Sequence, residues 1–168
     1  MYIRIFSRLV AGVCILFFSA TSLAQTNQRT MLTYLALGDS YTIGEQVPAE
    51  DNFPHQLVAM LNKDGIPTAE PEIVAVTGWT TDELAAAIRE RDFTGTFSFV
   101  TLLIGVNNQY RGRTIENYRK EYTALLKQAI GLANGRPERV FVLSIPDWGV
   151  TPFAEGRDRN KIAQEIDV

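Results

Sequence analysis

Short apolar runs alternate along this chain with stretches in which apolar residues recur at helical spacing. Four runs rich in apolar and β-branched residues stop at or just before a glycine or a proline, which is typical of buried strands bounded by turns. The predicted strands are residues 33–37, 72–76, 97–104 and 139–145. The third is almost continuously apolar, which indicates a strand covered on both faces.

The segments between these strands repeat apolar residues three and four positions apart, as an amphipathic helix does. Asn52 precedes the first such segment, and Thr80 or Thr81 precedes the second; all three are side chains that favour helix starts. A fourth helix is predicted over residues 158–166. The apolar positions of the first three helices are Phe53, Leu57 and Leu61, then Leu84 and Ile88, then Ile115, Tyr118, Tyr122, Leu125, Ala129 and Ala133.

Strands and helices therefore alternate in the order βαβαβαβα. This order predicts a single α/β domain, residues 25–168, with a parallel sheet and helices on both faces. In such sheets ligands bind beyond the carboxyl ends of the strands, so the functional residues are expected directly after the strands.

The start of the chain has a different pattern. Arg4 and Arg8 are its only charged residues, and residues 9–23 are apolar or small. Ser22 and Ala24 then place small side chains where a signal peptidase needs them, so residues 1–24 are predicted to be a secretory signal peptide. The apolar run is shorter than the roughly 20 residues that span a bilayer. We therefore expect an exported protein, periplasmic or secreted, with no stable membrane insertion after cleavage.

Composition narrows the possible functions. The 168 residues are 46% hydrophobic and 21% charged, which fits one globular domain, and the net charge of -3 argues against a nucleic-acid partner. One cysteine excludes an internal disulfide or a cysteine-built zinc site. No acidic or histidine cluster has metal-ligand spacing, and neither G-x-G-x-x-G nor a lysine-bearing phosphate loop is present, so no metal or cofactor is expected.

Polar residues follow the first three predicted strands. Ser40 follows the first, Gly78 the second and Asn107 the third. A serine at such a turn has its hydroxyl at the sheet edge, where backbone N–H groups of Ser40 and Gly78 and the amide of Asn107 can converge. Three donors beside a hydroxyl form an oxyanion hole, which stabilises the tetrahedral intermediate of acyl transfer.

These three segments, ALGDSYT, Gly78 and GVNN, resemble the GDSL/SGNH hydrolase family, named for its Ser, Gly, Asn and His. The resemblance implies a flavodoxin-like three-layer α/β/α sandwich, with four of the family's five strands present. It implies a serine ester hydrolase without cofactor, acting on a small-molecule ester of a lipid or an acylated sugar. Ser40 is then the nucleophile, and Gly78 and Asn107 belong to the oxyanion hole; the expected pocket-lining residues are Asp39, Tyr41, Trp79 and Tyr110.

The sequence departs from the family in two places. Asn108 stands where the family often has Asp, and no D-x-x-H segment is present because His55 is the only histidine. We interpret His55 as an ordinary helix histidine. A general base must lie within hydrogen-bond distance of the nucleophile, and a histidine inside the first predicted helix is not expected to reach Ser40. Three explanations remain: an incomplete copy of the family domain, which we favour; a poorly catalytic relative that binds an ester or a glycan; or an unrelated doubly wound protein such as a nucleotide-binding module.

Overall fold

The computed structural model describes residues 30–166, so the predicted signal peptide lies outside the described residues. Four strands form an all-parallel sheet in the order β2-β1-β3-β4. The strands are β1 Tyr34–Gly38, β2 Glu72–Ala75, β3 Phe99–Leu103 and β4 Val140–Val142. This sheet confirms the predicted α/β class and the parallel arrangement.

Helices flank the sheet and connect its strands. Short 3₁₀ turns at Ala49–Asp51, Pro137–Arg139, Trp148–Val150 and Pro152–Ala154 lie between them. The helices are α1 Ser40–Ile43, α2 Phe53–Lys63, α3 Thr81–Arg91, α4 Val106–Tyr110, α5 Ile115–Leu132 and α6 Arg159–Ile166. Within residues 30–166 no helix is long and apolar enough to cross a membrane.

Successive residues of β1 point to opposite faces of the sheet, and both faces are covered. Leu35 and Leu37 belong to the core shared with α3 and α5, whereas Tyr34 and Ala36 pack with Val58 of α2. All five residues of β1 are buried. A strand buried on both faces needs apolar residues at every position, which is why these runs do not alternate.

The larger core lies between the sheet and helices α3 and α5. The helical residues at its centre are Leu84, Ile88, Leu125 and Ala129, each at most 7% exposed. The sequence spacing predicted all four of these residues as apolar face positions. The burial confirms the predicted orientation of both helices.

Three predicted strands are shorter in the structure; β2 ends one residue earlier than predicted, at Ala75. Residues 97–104 were expected in β3, which covers Phe99–Leu103, and residues 139–145 in β4, which covers only Val140–Val142. β4 is an edge strand with a strand partner on one side only among the described residues. After Val142 a single further bond, from Leu143 N to Leu102 O, holds the chain to β3 before it turns toward Pro146.

The strand order locates the functional edge of the sheet. β1 lies between β2 and β3. The connection from β1 to β2 leads to one side of β1, and the connection from β2 to β3 crosses to the other side. Such a switch point opens a crevice beyond the carboxyl ends of the two central strands. Ser40 follows β1 and Asn107 follows β3, so both flank this crevice.

Candidate active site

Ser40 is the first residue of a one-turn helix that the sequence did not predict. Asp39 caps this helix, and its Oδ1 accepts a hydrogen bond from Tyr41 N at 3.0 Å. The cap holds the chain in a sharp turn directly after β1. Ser40 is partly exposed, and its hydroxyl makes no hydrogen bond to any other residue within 30–166. The hydroxyl is therefore accessible and unengaged.

Asn107 connects the three loops that the sequence singled out. It lies in α4, which begins after Gly105, whose φ of 134° favours glycine. The Asn107 amide nitrogen donates to Trp79 O at 2.9 Å and lies 3.4 Å from Asp39 Oδ2. The amide therefore links the loops after β1 and β2 to the loop after β3, next to Ser40.

Gly78 lies in the turn after β2 with a φ of +84°, a value that side chains other than glycine rarely adopt. Its carbonyl accepts a hydrogen bond from Arg111 Nη2 at 2.6 Å. Neither the Gly78 N–H nor the Ser40 N–H donates to another residue in the described part of the chain. Unengaged backbone N–H groups are the donors that an oxyanion hole requires.

Asp39 is the buried carboxyl group of the site, with 1% of its surface exposed. Burial raises its pKa from 3.8 to about 6, and the hydrogen bond from Tyr41 N opposes this shift. Removing a carboxylate from water disfavours its charged form, which is the dominant effect here. Asp39 therefore changes its charge in mildly acidic solution, at a point in contact with Asn107.

Replacing Asp39 by Asn is expected to remove one component of the pH dependence of stability. Since the pKa is raised in the folded state, the folded protein binds the proton more tightly, and stability falls as pH rises from 3.8 through about 6. Between pH 4 and pH 7 the wild type should lose about 2 kcal/mol of unfolding free energy relative to Asp39→Asn. Urea denaturation of both proteins across this range measures the difference. If the difference in unfolding free energy between the two proteins stayed constant from pH 4 to pH 7, it would contradict a raised pKa of Asp39.

Two of the four predicted pocket residues have exposed aromatic side chains. Tyr41 is 37% and Tyr110 is 43% exposed. Tyr110 contacts Trp148 edge to face at a ring distance of 5.3 Å, and the Arg157 guanidinium lies 4.3 Å from its ring centre. Trp79 differs, because its ring packs on the core while its carbonyl contacts Asn107.

His55 is engaged away from Ser40. Its Nδ1 lies 2.7 Å from Asn52 Oδ1, and its Nε2 lies 3.9 Å from Glu70 Oε2. Asn52 also caps α2 through His55 N and donates to Ile43 O at 3.2 Å. These contacts agree with the interpretation of His55 as a helix histidine.

Asn108 is a buried connector between α4 and α3, a role that sequence reasoning missed. Its Oδ1 accepts from Thr81 N at 3.1 Å, and its Nδ2 donates to Thr81 Oγ1 at 2.7 Å. The Thr81 hydroxyl donates in turn to Glu121 of α5. An amide serves this chain because it donates and accepts at once, whereas a carboxylate only accepts. The departure from the family's Asp therefore has a structural partner.

The start of α3 is the other feature that sequence reasoning resolved only in part. Thr80 is its N-cap, and Thr80 N donates to Glu83 Oε2 at 2.8 Å. The T-x-x-E spacing of a capping box would have selected Thr80 over Thr81.

Within residues 30–166, no group of three or more His, Cys, Asp or Glu side chains has the arrangement of a metal site.

A family model for GDSL-like lipases and acylhydrolases matches residues 36–167, most of the chain. The chain belongs to this family. Ester substrates are what the GDSL-like family implies. No curated protein matches the chain.

Solved structures of GDSL/SGNH proteins share the fold. The SGNH-family esterase AlinE4 has a TM-score of 0.59 at 17% identity, with 82% of this chain and 74% of that chain covered. A lipase/acylhydrolase from Enterococcus faecalis has a TM-score of 0.60 at 20% identity, covering 82% and 68%. EstA, a psychrotrophic esterase from Pseudoalteromonas sp. inhibited by monoethylphosphonate, has a TM-score of 0.53 at 16% identity, covering 81% and 74%. At these identities the likeness shows the fold alone.

Proposed function

We propose that this chain is an exported ester hydrolase domain that acts through an acyl-Ser40 intermediate and lacks its own general base. The observation that carries the proposal is the Asn107 amide, which contacts Asp39 and Trp79 and so gathers three loops beside Ser40. Membership of the GDSL-like family supports ester chemistry at this position. Export is proposed from the sequence of residues 1–24.

In the proposed reaction, Ser40 Oγ attacks the ester carbonyl carbon and gives up its proton to solvent water. The carbonyl oxygen becomes an oxyanion, stabilised by the N–H groups of Ser40 and Gly78. The Asn107 amide contributes when substrate binding turns one of its two N–H donors to the oxyanion from Asp39 Oδ2, the longer of its two contacts. The intermediate collapses, the C–O bond to the alcohol breaks, and the alcohol leaves with a proton. Water then attacks acyl-Ser40, the bond between the acyl carbon and Ser40 Oγ breaks, and the water supplies the OH of the released acid and the proton that restores the Ser40 hydroxyl.

The proton of Ser40 needs an acceptor, and this requirement limits the chain. A serine hydroxyl is a weak nucleophile at neutral pH without an adjacent base. The 168 residues contain no D-x-x-H segment, and His55 Nδ1 is hydrogen-bonded to Asn52. We therefore propose a site with a nucleophile and oxyanion donors but without an efficient proton acceptor.

Within residues 30–166 no side chain is hydrogen-bonded to the Ser40 hydroxyl, and this lack of a base also favours a second candidate function. A domain that keeps the crevice and lacks a base can bind an ester or a glycan without cleaving it. In both cases the proposed ligand is a lipid ester or an acylated sugar. The exposed ring of Tyr41, the residue after Ser40, offers an apolar face for such a ligand.

Labelling with a fluorophosphonate probe distinguishes the two functions. The hydrolase proposal expects slow, stoichiometric modification of Ser40 at high probe concentration, because the phosphoryl oxygen occupies the oxyanion position. Mass spectrometry of the intact protein and its peptides locates the label. Ser144 also follows a parallel strand and is exposed, so Ser144→Ala is the matched control for Ser40→Ala.

Label lost in Ser40→Ala and retained in Ser144→Ala would support the hydrolase. Absence of Ser40 labelling, together with saturable binding of an ester ligand, would favour the binding domain instead.

A further inference from the structure

Asn107 of α4 and Arg111, the residue that caps the end of α4, both reach the turn after β2. Asn107 and Arg111 are four residues apart, joined by a helical hydrogen bond from Arg111 N to Asn107 O at 3.0 Å, and so lie on one face. The Asn107 amide donates to Trp79 O at 2.9 Å, and Arg111 Nη2 donates to Gly78 O at 2.6 Å. Consecutive carbonyls of the turn are thus both bound to α4.

This double attachment matters because glycine has more freedom of backbone conformation than any other residue of the turn. Gly78 has a φ of +84°, and without a side chain it can reorient its peptide groups at little steric cost. Arg111 fixes the carbonyl of Gly78 and Asn107 fixes the carbonyl of Trp79. The group of Gly78 that remains unengaged within residues 30–166 is its N–H, which the proposed reaction uses.

Glu83 orients the arginine. Arg111 Nη1 lies 3.2 Å from Glu83 Oε1, while Glu83 Oε2 accepts from Thr80 N at 2.8 Å. The carboxylate therefore holds the guanidinium against the start of α3. It also pairs with the positive charge, so the Arg111 side chain is committed to this turn rather than to an external anion.

We infer that Arg111 is a positioning residue of the oxyanion hole, which fixes the turn at Gly78 so that the Gly78 N–H faces the carbonyl oxygen of the substrate. The inference rests on the proposed function, because it assigns Arg111 a part in the same reaction. Arg111 touches no reacting atom and acts only through Gly78.

Arg91 supplies a matched control at the other end of β2. Its Nη1 lies 3.0 Å from Glu72 Oε1, and its Nη2 lies 3.4 Å from Ile73 O, so it also joins a glutamate to a backbone carbonyl. The variants to compare are Arg111→Ala, Arg111→Lys and Arg91→Ala. Thermal unfolding is recorded for each, because loss of an exposed ion pair should have a small effect on stability.

The first measurement is the rate of Ser40 phosphonylation as a function of fluorophosphonate concentration. Arg111→Ala should lower the maximal rate, kinact, about tenfold or more, since loss of a direct oxyanion donor costs about 10²–10³. The half-saturating concentration, KI, should stay unchanged because probe binding precedes the charged stage. Arg111→Lys should restore part of kinact, and Arg91→Ala should leave it unchanged. Equal kinact in wild type and Arg111→Ala would overturn the inference.

The second measurement is hydrogen exchange of the Trp79 amide by NMR, which does not depend on reactivity. Trp79 N donates to Val76 O at 3.2 Å and so reports on the order of the turn. Exchange should accelerate in Arg111→Ala and not in Arg91→Ala; unchanged exchange would overturn the inference. If wild-type Ser40 is not labelled at all, the proposed function fails and the role in the oxyanion hole fails with it, while the Trp79 exchange still decides whether Arg111 fixes the turn at Gly78.

Discussion

Purified protein comprising residues 25–168 is expected to hydrolyse p-nitrophenyl acetate about 10⁶-fold more slowly than a hydrolase with an intact Ser–His pair. The physical reason is the missing proton acceptor: His55 is hydrogen-bonded to Asn52, and the sequence has no other histidine. Some rate above that in water should remain, because oxyanion donors act without the base. Initial rates at pH 7 and 25 °C, with Ser40→Ala as reference, measure this deficit.

Added imidazole provides a sharper form of this experiment. As an external base it should raise the hydrolysis rate of the wild type and leave that of Ser40→Ala at the level of imidazole alone. Rapid wild-type turnover without imidazole, abolished in Ser40→Ala, would contradict the proposal that the base is absent. In that case loss of activity in His55→Ala would identify His55 as the base.

Gly38→Ala is expected to destabilise the protein by about 3 kcal/mol or more. A Cβ at Gly38 would lie 1.9 Å from Thr42 Oγ1 and 2.5 Å from the backbone oxygen of Leu103. The Leu103 oxygen belongs to the neighbouring strand and cannot move without disturbing the β1–β3 pairing. Urea denaturation measures the loss of stability. Since Gly38 directly precedes Asp39, phosphonylation of Ser40 should also slow.

Gly131→Ala makes the same chemical change with the opposite expected sign. Gly131 lies in α5, is exposed, and has no atom within 4 Å of an added Cβ. Alanine restricts the unfolded chain and favours the helix, so stability should rise by about 0.5–1 kcal/mol. Similar stability changes in the two variants would show that close approach at Gly38 does not control its effect.

The turns after the strands were predictable because glycine leaves a clear signal there. Gly38 and Gly105 mark the turns that follow β1 and β3, and these turns, with Ser40 and Asn107 two residues after each glycine, follow from local sequence. The one-turn helices α1 and α4 were not predicted. They are too short to show a periodic apolar pattern, so only the folded chain reveals them.

The contacts within the site depend on pairs of residues far apart in sequence. Asn107 meets Trp79 across 28 positions and Asp39 across 68. The local sequence of neither partner specifies these contacts. They form because the strand order β2-β1-β3 brings the loops after these strands to one edge of the sheet. The proximity of His55 to Glu70 and the hydrogen bond from Arg111 to Gly78 depend on the tertiary fold in the same way.

The sequence by itself determined the class of fold, the faces of its helices and the family. Apolar runs, helical spacing and strand-end glycines are local patterns that any fold burying these segments must respect. Tertiary structure alone decided which side chain binds which loop, how short the edge strand β4 is, and why Gly38 has no room for a methyl group. These features arise where separate strands and helices come within a few ångströms, and that proximity is set by the sheet order rather than by neighbouring residues.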